Sequence, residues 1–193
     1  MKKVNIIMVI AAGFLLSTAV LNSCNAKDEK TDESKEVAAE VNDKKFESKA
    51  SENDAQFVVD AMSASFDEIR IADVGLAKSK NAEVQKIAQQ LKTDHSAMIT
   101  ELNGVASKSA ITVPAISSED ASKFATRLME TDAKEFDKKW LDRVKEMNEA
   151  SLKKYDNASK DATDINIKSW AAATSVKIRS HLDIIRSTRD MMK

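Results

Sequence analysis

An all-α fold, an antiparallel four-helix bundle, is predicted by three observations. Apolar residues recur at intervals of three and four over residues 54–193. The 193-residue chain holds only three Gly and one Pro, and aromatic residues are 5% of it against 32% charged. β sandwiches, barrels and glycine-looped α/β enzymes need turn residues and bulky strand residues that this composition lacks.

The elements follow in order. Over residues 54–80, Phe57, Val58, Ala61, Met62, Ser65, Ile69, Ala72 and Leu76 trace one face of a first helix. Asn81 is placed to cap the second, where Val84, Ile87, Ala88, Leu91, Met98, Leu102 and Val105 repeat the spacing to about Lys108. Joined almost without a loop, the two form a hairpin. Residues 109–117 contain Pro114 and read as a crossover connector. A short extra helix starting at Ser118 places Phe124, Leu128 and Met129 inside. Asp132 with Glu135 resembles a capping box for the third long helix, striped by Phe136, Trp140, Leu141, Val144, Met147, Leu152 and Tyr155. After Thr163 and Asp164 the last helix carries Ile167, Trp170, Ala171, Thr174, Ile178, Leu182 and Ile185.

Ahead of this domain the chain reads as an address. Lys2 and Lys3 precede an apolar run over residues 6–21, shorter than the roughly 20 residues of a spanning helix, as in a secretory signal. Leu21-Asn22-Ser23-Cys24 resembles the lipobox of bacterial lipoproteins, in which cleavage before the Cys leaves it acylated. An ordinary cleaved signal with an incidental Cys, or an uncleaved anchor helix, competes with that reading. Residues 1–23 are thus expected to be a lipoprotein signal peptide. Residues 24–53 are expected to be a lipidated Cys24 followed by a disordered charged tether, because so polar a stretch buries too little to offset its ordering entropy. Lys27-Asp28-Glu29 resembles a short signal for the outer face of the outer membrane, and an unremarkable linker accounts for it equally well. An exported outer-membrane lipoprotein facing the periplasm or the cell surface is the expected location.

A formal net charge of −1 gives no basic face for phosphates, so nucleic acid is not expected as a partner. The informative residues are polar ones on the apolar stripes. Glu68 follows Phe57, Ala61 and Ala64 at helical spacing; His95 lies between Leu91 and Met98; Asn148 between Val144 and Leu152; His181 between Ile178 and Ile185. A bare carboxylate in an apolar core costs several kcal/mol unless donors or a cation accompany it. Three readings are open. Glu68, His95, Asn148 and His181 form a hydrogen-bond network fixing helix register. Glu68, His95 and His181 bind a transition metal, zinc, iron or manganese. Or the helix phase differs and these groups lie near solvent. The residues three before His95 and His181 are Lys92 and Ile178, so the Glu-x-x-His pairs of di-iron bundles are missing, and no other catalytic set stands out.

Phe57 to Glu68, Gly75-Leu76-Ala77, Thr93-Asp94-His95, Ile111-Thr112-Val113-Pro114, Phe136-Asp137 with Trp140, and His181-Leu182 together resemble the domain of unknown function 4142 family. The resemblance implies exported bacterial proteins with a ferritin-like bundle, often labelled outer-membrane proteins. The family pattern has a His where this chain has Asn148, and an amide coordinates transition metals poorly. The expectation is a non-enzymatic, lipid-anchored bundle acting on a protein or small-molecule partner. Metal sequestration or oxidation chemistry is the alternative, and self-assembly into a homo-oligomer shares the same periodicity.

Overall fold

The computed structural model describes residues 33–192. Among them lie six α-helices: α1 (Glu33–Lys45), α2 (Lys49–Lys78), α3 (Ala82–Lys108), α4 (Glu119–Glu130), α5 (Ala133–Asp161) and α6 (Ile165–Met191), with no strand. The signal, Cys24 and the first part of the expected tether lie outside the described residues. Two hairpins, α2/α3 and α5/α6, face each other, with α2 against α5 and α3 against α6. This is the predicted four-helix bundle. The crossover between the hairpins contains α4, which packs on α2.

Local chemistry sets the helix starts. Asn81 accepts from the backbone N–H of Glu83 at 2.9 Å, Ser118 from Ala121 at 3.1 Å, and Asp164 from Asn166 at 2.7 Å, each relieving donors that have no partner within their helix. The expected capping box at Asp132 is not made: its side chain caps nothing, and its carbonyl alone accepts from Glu135 and Phe136. The anticipated inward Met129 is 48% exposed, because α4 buries only Ala121, Ala125 and Leu128.

α2 is the hub, touching α1, α3, α4 and α5, so its buried surface is wider than one stripe. Val58 and Val59, adjacent in sequence, are both fully buried, and Ile71 takes the core place expected of the half-buried Ile69. Where α2 meets α5, Trp140 lies against Gly75 and donates its indole N–H to the carbonyl of Ile71 at 2.8 Å. Asp54 is another long-range pin of α2: its carboxylate accepts from the backbone of Thr163 and Asp164 and from the Thr163 hydroxyl, fixing the α5–α6 turn.

Over residues 33–53 the expected disordered tether is corrected by α1 and by the start of α2 at Lys49. Apolar burial is slight there, as the composition implies; Ala38 is the buried apolar residue of α1. Polar contacts hold it instead. Asn42, 2% exposed, donates to the Thr112 carbonyl and accepts from the Thr112 N–H, both at 2.8 Å, pairing the helix with the connector as a neighbouring strand would. Ser34 accepts from the Ala115 N–H at 3.1 Å, and Lys35 pairs with Asp60 at 2.8 Å. Asn42→Ala is therefore expected to undock α1 alone. Amide exchange over residues 33–45 should accelerate strongly while global stability falls by only about 1–2 kcal/mol. Unchanged protection of α1 would show that the amide is not what holds it.

Candidate functional site

The four inward polar residues occupy the middle of the bundle, one per long helix. Glu68 is 2% exposed, His95 2%, Asn148 1% and His181 0%. Asn148 is the centre. One of its amide hydrogens goes to Glu68 Oε1 at 2.9 Å and the other to the Val144 carbonyl at 2.8 Å. The Val144 contact fixes which way the amide points, since the carbonyl can face only its NH₂ end. Its oxygen therefore faces His181 Nδ1, 3.3 Å away. The other ring nitrogen of His181, Nε2, lies 2.8 Å from Asp94 Oδ2. A polar chain thus crosses the bundle from α3 through α6 and α5 to α2: Asp94, His181, Asn148, Glu68.

Asp94 is the member that spacing along the stripes does not pick out. It sits beside His95 at the edge of α3, its side chain 28% exposed, and reaches across to α6. Its sequence signals are adjacency to an inward His and its place in the family-like Thr93-Asp94-His95.

His95 belongs to the cluster but not to the chain. Its ring centroid is 5.7 Å from that of His181, and neither ring nitrogen has a hydrogen-bond partner among the described residues. Burial, then the neighbouring His181 and Lys177, push its pKa down to about 3. Burial lowers His181 as well, with the Asp94 carboxylate pulling the other way. Glu68 is pushed up to about 8 by burial, opposed by the Asn148 hydrogen bond and the charge of Arg143. Its route to solvent is a crevice of about 150 Å³ between α2 and α5, lined by Asp67, Arg143, Met147 and Ser151. Tyr155, 2% exposed and packed on Phe57 and Trp170 at 5.5 and 5.4 Å, has its phenol pKa raised by burial. Its hydroxyl makes no hydrogen bond among the described residues; the hydroxyl of nearby Ser65 is given to the Ala61 carbonyl.

The structure therefore joins Glu68, Asn148 and His181 by hydrogen bonds and sets His95 against His181. It does not gather Glu68, His95 and His181 around one point, because Asn148 stands between the carboxylate and the imidazole. Among the described residues no three His, Cys, Asp or Glu side chains come together as a metal-holding group. A cleft of about 390 Å³ lies elsewhere, between the start of α2 and the end of α5, and none of the inward polar residues line it.

Compared with known proteins, residues 39–188 match the family described as Domain of unknown function (DUF4142). No curated protein and no solved structure matches the chain. The matched span includes the second half of α1, consistent with that helix being part of the domain.

Proposed function

We propose that this chain, which belongs to the DUF4142 family, is a lipid-anchored, non-catalytic helical module of the bacterial envelope that works through its surface. The observation that carries the reading is the Asp94–His181–Asn148–Glu68 chain. It spends three buried polar groups and the partly exposed Asp94, one from each long helix, on one another, in the manner of a register-fixing network rather than a substrate site. The anchoring half rests on the lipobox-like Leu21-Asn22-Ser23-Cys24. A diacylated or triacylated Cys gives stable attachment where one acyl chain would not. No helix among the described residues is long and apolar enough to cross a membrane.

Radiolabelled fatty acid is expected to enter the wild-type protein and fractionate with membranes, whereas Cys24→Ala should be unlabelled and leave the membrane fraction. A wild-type chain without label, or a Cys24→Ala chain still membrane-bound, would defeat the anchoring half.

A second reading, metal sequestration at His95 rather than at the full set of Glu68, His95 and His181, is favoured by the ring of His95. Two ring nitrogens without partners among the described residues, at 2% exposure, are costly, and a bound cation would satisfy one of them.

A further inference from the structure

We propose that the crevice between α2 and α5 is a binding site for a short-chain carboxylate, held by Arg143 and Ser151 at its walls and by the carboxyl of Glu68 at its most buried point. The inference goes beyond the surface reading of this domain and is independent of the metal reading at His95.

The first support is an oxygen left over from the buried polar chain. Oε1 of Glu68 accepts from Asn148, whereas Oε2 has no hydrogen-bond partner among the described residues. Glu68 is 2% exposed, and it lines this crevice. A buried polar atom is costly to leave unmet, so the open side of the carboxyl calls for a polar group inside the crevice.

The second support is a pair of unspent donors on α5. The hydroxyl of Ser151 makes no hydrogen bond among the described residues. Arg143 gives one arm of its guanidinium to the exposed Glu146 at 3.1 Å and stacks on Phe124, its centre 4.6 Å from that of the ring. Its Nε–H is buried without a partner among the described residues.

The chemistry of these groups selects the ligand. A guanidinium and a hydroxyl donate, and so does a protonated carboxyl, the form that burial favours for Glu68 by pushing its pKa up to about 8. A ligand that only accepts therefore fits, and a carboxylate is the acceptor a guanidinium holds well. A cation is disfavoured, because Arg143 and Lys154 both line the crevice, and the ionised acid there, Asp67, is engaged through both oxygens by the N–H and hydroxyl of Ser118 at 2.7 and 3.0 Å. Phosphate is disfavoured by the remaining walls, Ala64, Met147 and Ala150, which a short alkyl chain covers and a fourth oxygen does not. The volume of about 150 Å³ is the room of about five water molecules, which sets the size at that of acetate or propionate.

The test uses the full chain carrying Cys24→Ala, so that no lipid is attached. Sodium propionate is titrated in at constant ionic strength, at pH 7 and pH 9, and the methyl resonances of Ala64, Met147 and Ala150 are followed; methylammonium and inorganic phosphate are titrated separately. The expected result is a saturable shift of these methyls at millimolar propionate or below, as befits so small a ligand. Arg143→Met should weaken it by about 10-fold or more, through loss of a charge-assisted contact. Affinity should also fall by about 10-fold from pH 7 to pH 9, as Glu68 loses its proton and becomes a like charge. Glu68→Gln keeps an oxygen for Asn148 and turns an amide N–H toward the crevice, so it should bind at pH 7 and lose that pH dependence. Asp67, Arg143 and Lys154 face the crevice in both chains, so the difference between the two profiles belongs to position 68. No saturable shift, or equal affinity with Arg143→Met, overturns the site. Binding of methylammonium or phosphate in place of propionate overturns the ligand class. The same fall from pH 7 to pH 9 in both chains overturns the part given to Glu68. If Arg143→Met does not fold, Ser151→Ala at its half-buried helix position decides instead: affinity lower by about 3-fold or more supports the site, and unchanged affinity rejects it.

Discussion

Gly75→Ala is expected to be among the most damaging single-methyl changes in this protein. A Cβ at position 75 would lie 2.7 Å from Trp140 Cε2 and 2.8 Å from both Cζ2 and Nε1, distances no relaxed contact reaches. The indole cannot swing aside cheaply, because Trp140 is fully buried and its N–H is given to the Ile71 carbonyl one turn earlier on the same helix as Gly75. Either α2 and α5 move apart, or Trp140 changes rotamer and leaves that bond. Overpacking of this kind costs about 1–3 kcal/mol, and an orphaned buried N–H about 1–3 kcal/mol more. The better helix propensity of Ala returns about 1 kcal/mol. The balance is a loss of about 1–5 kcal/mol, read as a fall in Tm of roughly 2–20 °C. Gly104→Ala is the control: it is also within a helix, nothing lies within 4 Å of its added Cβ, and it should stabilise by up to about 1 kcal/mol. Trp140→Phe in the Gly75→Ala background should restore part of the loss. Strict additivity of the two changes would mean that the clash is not the cause.

The same contact shows what was legible in the chain. Helical spacing alone places Phe136, Trp140, Leu141 and Val144 inside, and all are fully or almost fully buried. It equally places Glu68, His95, Asn148 and His181 inward, because a polar residue on an apolar stripe shares the direction of its neighbours whatever its chemistry. What spacing cannot convey is the partner. Asp94 lies off the stripe of α3, so its link to His181, 87 residues away, depends on how close α6 passes. Asp54 reads as the first polar residue of a helix, yet it is 7% exposed and holds a turn 109 residues distant. α1 was hidden for a related reason. Hydrophobic periodicity detects helices that dock by apolar faces, and α1 docks mainly through an amide on the backbone of the connector. The metal set of one carboxylate and two imidazoles failed on distance rather than direction: all three point inward, and Asn148 occupies the space through which Glu68 would have reached His181.

Glu68→Gln should make the protein more stable above neutral pH, an unusual outcome for removal of a hydrogen-bonded core residue. The carboxyl of Glu68 titrates near 8 in the folded chain against 4.5 for the free group, chiefly because burial at 2% exposure disfavours the anion. The folded state then binds more protons than the unfolded state between these values. The stability that the neutral carboxyl contributes is complete below about pH 4.5, declines as pH rises, and is lost once pH passes through 8. The full loss is roughly 5 kcal/mol, from a shift of that size at about 1.4 kcal/mol per pH unit. Gln keeps an oxygen for the Asn148 N–H and has no proton to lose, so its stability should not fall over this range. Denaturant melts of both chains at pH 5, 7 and 8.5 would show near-equality at pH 5 and a widening advantage for Gln above it. Parallel pH profiles would mean that Glu68 is already ionised at pH 5 and held by Asn148 and Arg143 together. His95 works in the opposite sense. With a folded pKa near 3 against 6.5, its neutral ring contributes stability that is present above 6.5 and lost as pH falls toward 3. Two buried groups of opposite sign thus confine the core from both sides: acid charges the imidazole, alkali charges the carboxyl. Between about pH 4.5 and 6.5 neither cost is complete, so the wild-type optimum should be mildly acidic, and Glu68→Gln should move it upward.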